Sequence, residues 1–195
     1  MLCGVRFIKC SFRAVAFCEC SDGLDHSDDK NGNISGAAIS RCVFEECDFE
    51  FANFSGVSFL RCAFISCALD NAIMLGTDFI GCKMTGSSLG GENAAVNIEG
   101  GDWSYTKLNK MRFKKRDMGD ISFRGANLFG VHFDECRLCG CNFDNSYFSE
   151  TKMLNCDIRG ASFEYVNLPT VDFRGSRCDV GFCIALARAS GLRYE

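Results

Sequence analysis

The sequence predicts an all-β quadrilateral helix, a square solenoid closed at its C-terminal end by one short α-helix. Three observations predict it. An apolar residue recurs at every fifth position, a small residue sits two places before it, and the pattern gives way near the C-terminus to a short helical segment. From Ile34 the fifth-position set runs through Ile39, Phe44, Phe49, Phe54, Phe59, Phe64, Leu69, Met74, Phe79 and Met84 to Leu89. It resumes one residue early at Ile98 and continues through Trp103, Leu108, Phe113, Met118 and Phe123 to Phe173. Phe7, Phe12 and Phe17 form a separate N-terminal register. All 31 of these positions are apolar and they hold 16 of the 19 phenylalanines. A period of five is neither the 3.6 of a helix nor the 2 of a strand, so no ordinary element explains it.

The small positions of the first block are Gly32, Ala37, Cys42, Cys47, Ala52, Val57, Cys62, Cys67, Ala72, Thr77, Cys82 and Ser87. A chain that turns a corner every five residues points one large and one small side chain inward from each face. Four faces make a coil of about twenty residues, and coils stack at roughly 4.8 Å. About eight coils, a rod roughly 38 Å long, are expected. No single coil buries its own inward face, so stability comes from stacking. The predicted organisation is a solenoid over 1–178 and a capping and dimerisation helix over 179–195.

Repetition of motifs such as Ala126-Asn127-Leu128-Phe129-Gly130 and Ala161-Ser162-Phe163-Glu164-Tyr165 resembles the pentapeptide-repeat family. The resemblance spans Phe7 to Phe173 and implies a right-handed square β-solenoid with Phe and Leu stacked along its axis. It says little of function, which lives in local sites.

The 15 cysteines follow from the repeat. Cys10, Cys42, Cys47, Cys62, Cys67, Cys82, Cys136, Cys141 and Cys156 take the small inward position, where a thiol serves as a small hydrophobe. Cys136-x-x-Cys139-x-Cys141 has the look of a metal motif, but Cys139 falls outward while its neighbours point in, and zinc needs convergent thiolates. Cys18, Cys20 and His26 are the other metal candidates considered. No metal and no cofactor is expected. No run is apolar and long enough to span a membrane and no secretory signal opens the chain, so a cytoplasmic protein with reduced thiols is expected.

Three places break the pattern. Residues 21–33, rich in Gly, Asp and Ser, read as a projecting loop carrying Asp22, Asp25, Asp28 and Asp29. Residues 90–97 contain the register slip, expected as a bulge or kink. Residues 107–116 hold Lys107, Lys110, Arg112, Lys114, Lys115 and Arg116 with no acid, and put Met111 and Arg116 into small positions. A buried unpaired Arg is costly, so a local excursion is expected there. The run itself reads as a solvated face or an anion contact.

Formal charge is −4, with 13 acids and 7 bases in residues 1–100 against 12 and 14 in the remainder. Glu45, Glu46, Asp48 and Glu50 form the densest acidic cluster of the coils, all in outward positions. At the C-terminus, Asp179 is a candidate helix N-cap and Gly191 a helix stop. Between and beyond them Val180, Phe182, Ile184, Leu186 and Leu192 supply an apolar surface for plugging the solenoid and for pairing two copies as a homodimer.

The loop, the mid-rod irregularity and the helix from Asp179 to Leu192 are together similar to the topoisomerase-protecting pentapeptide-repeat group, the Qnr- and MfpA-like proteins. That resemblance implies a DNA mimic that presents acidic faces to DNA gyrase and gives resistance to a gyrase-targeting antibiotic. It implies partner contacts through Asp22, Asp25, Asp28, Asp29, Glu45, Glu46, Asp48 and Glu50, with no direct nucleic-acid or membrane binding. The basic stretch 107–116 departs from a DNA mimic, because like charges would then face a DNA-binding surface. The alternatives are a general interaction scaffold or bacterial effector, and a passive domain. No catalytic constellation is present: His26 and His132 are far apart in sequence, and neither a phosphate-cradling Gly loop nor a G-x-S-x-G elbow occurs. An enzyme is not expected.

Overall fold

The computed structural model describes residues 2–17, 37–90 and 96–193. Short strands lie on the faces of a square β-solenoid, every pairing parallel. One stack comprises β1 (Leu2–Cys3), β3 (Ala38–Ser40), β5 (Ser58–Leu60), β7 (Thr77–Ile80) and β8 (Val96–Glu99). A second comprises β2 (Arg6–Ile8), β4 (Val43–Glu45) and β6 (Ala63–Ile65), and a third β9 (Arg112–Lys114), β10 (His132–Asp134) and β11 (Lys152–Leu154).

One ladder can be followed through Arg6, Val43, Ala63, Lys83, Asp102, Ser122, Asn142 and Ser162. Its step is 20 residues with two exceptions. Arg6 pairs with Val43, 37 residues on, because the chain between Phe17 and the next coil carries an insertion. Lys83 pairs with Asp102, 19 residues on, which is the register slip in structural form. Through residues 107–116 the step stays regular: Arg112 pairs with His132 and Asp117 with Arg137. The excursion expected there does not occur. Met111, Ile121 and Val131 are buried in small positions because the axial residues just before them are Leu108, Met118 and Leu128 rather than Phe, so inward volume is conserved. Arg116 is only half-buried, so its charge is not sealed in the core.

The corners have a backbone signature. Two residues after an axial side chain the chain usually enters the left-handed region, as at Glu46 (φ 52°), Arg61 (φ 51°) and Lys110 (φ 61°), with Leu168 an exception that leads into a 3-10 turn. Seventeen described non-glycine residues have positive φ. Each such residue costs about 1–2 kcal/mol in isolation, so the coils persist only because stacking outweighs the corners.

The core is two concentric sets. Axial rings stack between coils: Phe44 on Phe64 at 4.8 Å, Phe12 on Phe49 at 5.0 Å, Phe59 on Phe79 at 5.2 Å and Phe123 on Phe143 at 5.3 Å. Around them the small side chains donate to the carbonyl of an axial residue one coil earlier. Cys62 reaches Ile39 O (3.3 Å), Thr77 Phe54 O (2.8 Å), Cys82 Phe59 O (3.2 Å) and Ser87 Phe64 O (3.1 Å). Cys, Thr and Ser are therefore interchangeable there: each is small and each has a donor for a buried carbonyl.

Helix α1 (Val180–Ala189) closes the far end. Asp179 caps it, accepting from Phe182 N at 2.9 Å, and also accepts from Gly160 N at 3.0 Å, tying the cap to the preceding coil. Gly191 (φ 83°) ends it: Gly191 N bonds Arg188 O and Leu192 N bonds Ala187 O, a Schellman closure. Phe182 is buried, with its ring 5.1 Å from Phe163 and 5.0 Å from Phe173.

Candidate binding surfaces

Functional chemistry on such a rod lies on its outward columns and its ends. Glu45 closes β4, Glu46 takes the following corner, and Asp48 and Glu50 flank the axial Phe49 on the next face. Their side chains are between 28% and 53% exposed, and Asp48 also accepts from Glu50 N at 2.9 Å. The structure gives all four acids cationic partners from the first coil. Arg6 pairs with Glu45 and Lys9 with Glu46 (3.5 Å), while Arg13 reaches both Asp48 (3.4 Å) and Glu50. Arg13 also lies over the Phe51 ring, 5.3 Å from its centroid. Four carboxylates thus face three cations. This pairing escapes a reading by period alone because the insertion separates the partners by 35 to 39 positions. Aligning Phe7, Phe12 and Phe17 with Phe44, Phe49 and Phe54 would have exposed it. Asp22, Asp25, Asp28 and Asp29, and the metal candidates Cys18, Cys20 and His26, lie outside the described residues.

At the C-terminal end the apolar residues divide. Phe182 is the plug and Leu186 is half-buried against the core, so much of their apolar surface is used within the chain. Val180, Ile184 and Leu192 are 75%, 37% and 65% exposed.

The thiols diverge. Cys136 donates to Phe113 O, Cys139 to Asp157 O and Cys141 to Met118 O, three separate carbonyls. Burial pushes the Cys62 and Cys67 thiols up to about 11 and those of Cys82 and Cys141 to about 12, so all four stay protonated at neutral pH. A protonated thiol is neither a nucleophile nor a metal ligand. Among the described residues no cluster of His, Cys, Asp and Glu converges on a metal position, and no helix is long and apolar enough to cross a membrane.

The basic columns differ from one another. Lys114 and Lys115 are matched one coil on by Asp134 (3.2 Å) and Glu135 (3.5 Å). Arg112 instead pairs in register with His132, and His132 with Lys152.

Comparison with known proteins agrees with this geometry. HetL, a pentapeptide repeat protein involved in the regulation of heterocyst differentiation in Nostoc sp. strain PCC 7120, superposes with a TM-score of 0.59 at 15% identity. The match covers 72% of this chain and 63% of HetL, so the chain spans less than two thirds of that protein. A trypsin-treated variant of QnrB1, a plasmid-mediated fluoroquinolone resistance protein, aligns over 98% of this chain and 100% of its own at 17% identity and a TM-score of 0.47. No curated protein matches the sequence. The model of pentapeptide repeats matches eight copies, over residues 33–67, 108–145, 121–157 and 141–175, more than half of the chain. The protein belongs to the pentapeptide repeat family.

Proposed function

We propose that the chain is a non-enzymatic binding protein that docks on a type II topoisomerase, DNA gyrase, in the cytoplasm, and so gives resistance to a gyrase-targeting antibiotic. The observation that supports it is the outward patch Glu45, Glu46, Asp48 and Glu50, held on backbone that stacking makes rigid. Duplex DNA offers one negative charge per about 1.7 Å of axis, and a surface that binds it is basic to match. Carboxylates on a rigid rod meet such a surface without the ordering entropy that a flexible acidic tail loses. The ion pairs to Arg6, Lys9 and Arg13 are solvent-exposed, worth about 0–1 kcal/mol each, and exchangeable for a partner's cations. Two copies joined through Val180, Ile184 and Leu192 would double the acidic surface.

The same ion pairs favour a second reading, a general interaction scaffold, since they leave the patch nearly neutral. Gyrase supercoiling, measured with and without a gyrase poison, separates the two. Under the first reading the protein relieves poisoning, Glu45→Gln with Asp48→Asn weakens the effect, and Arg13→Ala strengthens it by freeing two carboxylates. Absence of gyrase binding at low salt, or indifference to both sets of variants, leaves the scaffold.

A further inference from the structure

On the outside of the rod a cavity of about 540 Å3 opens where the corner column Lys110, Gly130, Glu150 meets the face column Arg112, His132, Lys152. One residue widens it. Corner residues in successive coils stack, and Lys110 and Glu150 carry long side chains while Gly130 between them carries none; a Cβ there would touch the Lys110 stem at 3.4 Å. The face column sets the chemistry. Arg112 and Lys152 flank His132 in register, placing two permanent cations about 10 Å apart with an imidazole between them.

Among the described residues Arg112 and Lys110 lack the acidic partners found next door, while Lys152 is followed one coil on by Asp172. Lys114 and Lys115 are met one coil on by Asp134 and Glu135, whereas the equivalent places above Arg112 and Lys110 hold His132 and Gly130. Among the described residues Lys110, Arg112 and Lys152 form no ion pair within 4.0 Å. Two acids lie on the rim, Glu150 and Asp172, and Asp172 is held by Arg174 through bonds of 2.7 and 2.9 Å. Burial, then Lys152 and Arg112, hold the His132 imidazole below its usual range and favour its neutral form. Positive potential therefore collects where the backbone leaves room.

We infer that this cavity binds a small phosphate-bearing anion, gripped by Arg112 and Lys152 with Lys110 at the rim. The volume lies in the range of small-molecule sites and exceeds what one phosphate fills. The shared chemistry is a phosphate or diphosphate group, whose source is either free inorganic anion or a nucleotide. The site is independent of the acidic patch, which lies near the opposite end of the rod, and of any topoisomerase contact.

Isothermal titration of the full chain at low salt with inorganic phosphate, pyrophosphate and ADP tests it. Saturable binding of pyrophosphate or ADP is expected. Arg112→Ala and Lys152→Ala should each weaken it about tenfold or more, as loss of a charge-assisted contact does. Gly130→Asn should weaken it severalfold by crowding the space between Lys110 and Glu150. Asn suits the left-handed backbone there, as Asn71, Asn145 and Asn155 already do at other corners. Lys114→Ala should leave binding unchanged. The His132 ring resonances should shift toward the imidazolium form on saturation, because an anion offsets the cations that face it. ADP binding more tightly than pyrophosphate identifies a nucleotide; equal affinity identifies the inorganic anion. No saturable binding of any probe at millimolar concentration, or binding that neither Arg112→Ala nor Gly130→Asn weakens in folded protein, overturns the inference.

Discussion

Replacing Gly101 with alanine tests how the solenoid absorbs its shortened coil. Gly101 lies in the small position above Cys82 with φ 96°, directly after Gly100 at φ 65°. A Cβ at residue 101 would fall within the van der Waals shell of the Cys82 carbonyl oxygen, and only 3.0 Å from Cys82 N and 3.1 Å from its carbonyl carbon. These are backbone atoms in a ladder and have no rotamer with which to yield. The same oxygen accepts from Asp102 N at 3.0 Å, so relieving the clash breaks that bond. Leaving a buried carbonyl unpaired costs about 1–3 kcal/mol, and the left-handed penalty adds about 1–2 kcal/mol. The expected loss is therefore about 3 kcal/mol or more, a large share of a stability of order 5–15 kcal/mol. Gly76→Ala is the control. It too has positive φ (68°), but nothing lies within 4 Å of its Cβ position, and alanine stiffens the unfolded chain by about 0.4–1 kcal/mol. It should cost about 1 kcal/mol or less. Urea unfolding of the two variants beside wild type measures both. Equal losses would refute the steric account of the 19-residue coil.

Cys62→Ala should cost about 1 kcal/mol, as a small cavity and one weak donor are involved, and Cys62→Ser less, because Ser87 shows that a hydroxyl bonds the equivalent carbonyl; chemical denaturation checks the order, and stoichiometric zinc in the native protein by mass spectrometry would contradict a structural role for these thiols. Asp179→Ala should lower stability by about 1 kcal/mol through loss of the cap, read as a lower melting temperature. Ionic or hydrogen-bonded partners hold the Asp117, Asp157, Asp172 and Asp179 carboxyls below the usual range. Their contribution is present above the unfolded value near 3.9 and is lost as pH falls through the lower folded values, so acid titration of the melting temperature should show a decline beginning near pH 4. Ile184→Asp should convert a dimer to a monomer in sedimentation without lowering stability, whereas Phe182→Asp should destabilise the last coil; a wild-type monomer at micromolar concentration would remove the dimer.

What the one-dimensional pattern determined is the inward half of the molecule. The five-residue period places Phe44, Phe59 and Phe133 on the axis and Cys42, Cys62 and Cys82 beside them, because a repeating chain repeats its environment. Asp179 and Gly191 were equally legible, since helix caps are local. The tertiary structure alone decided the outward half, because a residue's surface neighbours sit one coil away rather than next in sequence. A 17-residue insertion brings Arg6, Lys9 and Arg13 against the acids of the following coil. Stacking, not composition, leaves Arg112 beside a histidine and Lys110 beside a glycine while Lys114 and Lys115 receive carboxylates. Met111 and Arg116 looked disruptive in a list of small residues, yet the coil stays regular because Met111 follows an axial Leu108 rather than Phe and Arg116 stays only half-buried, relations that exist only once the chain has closed its square.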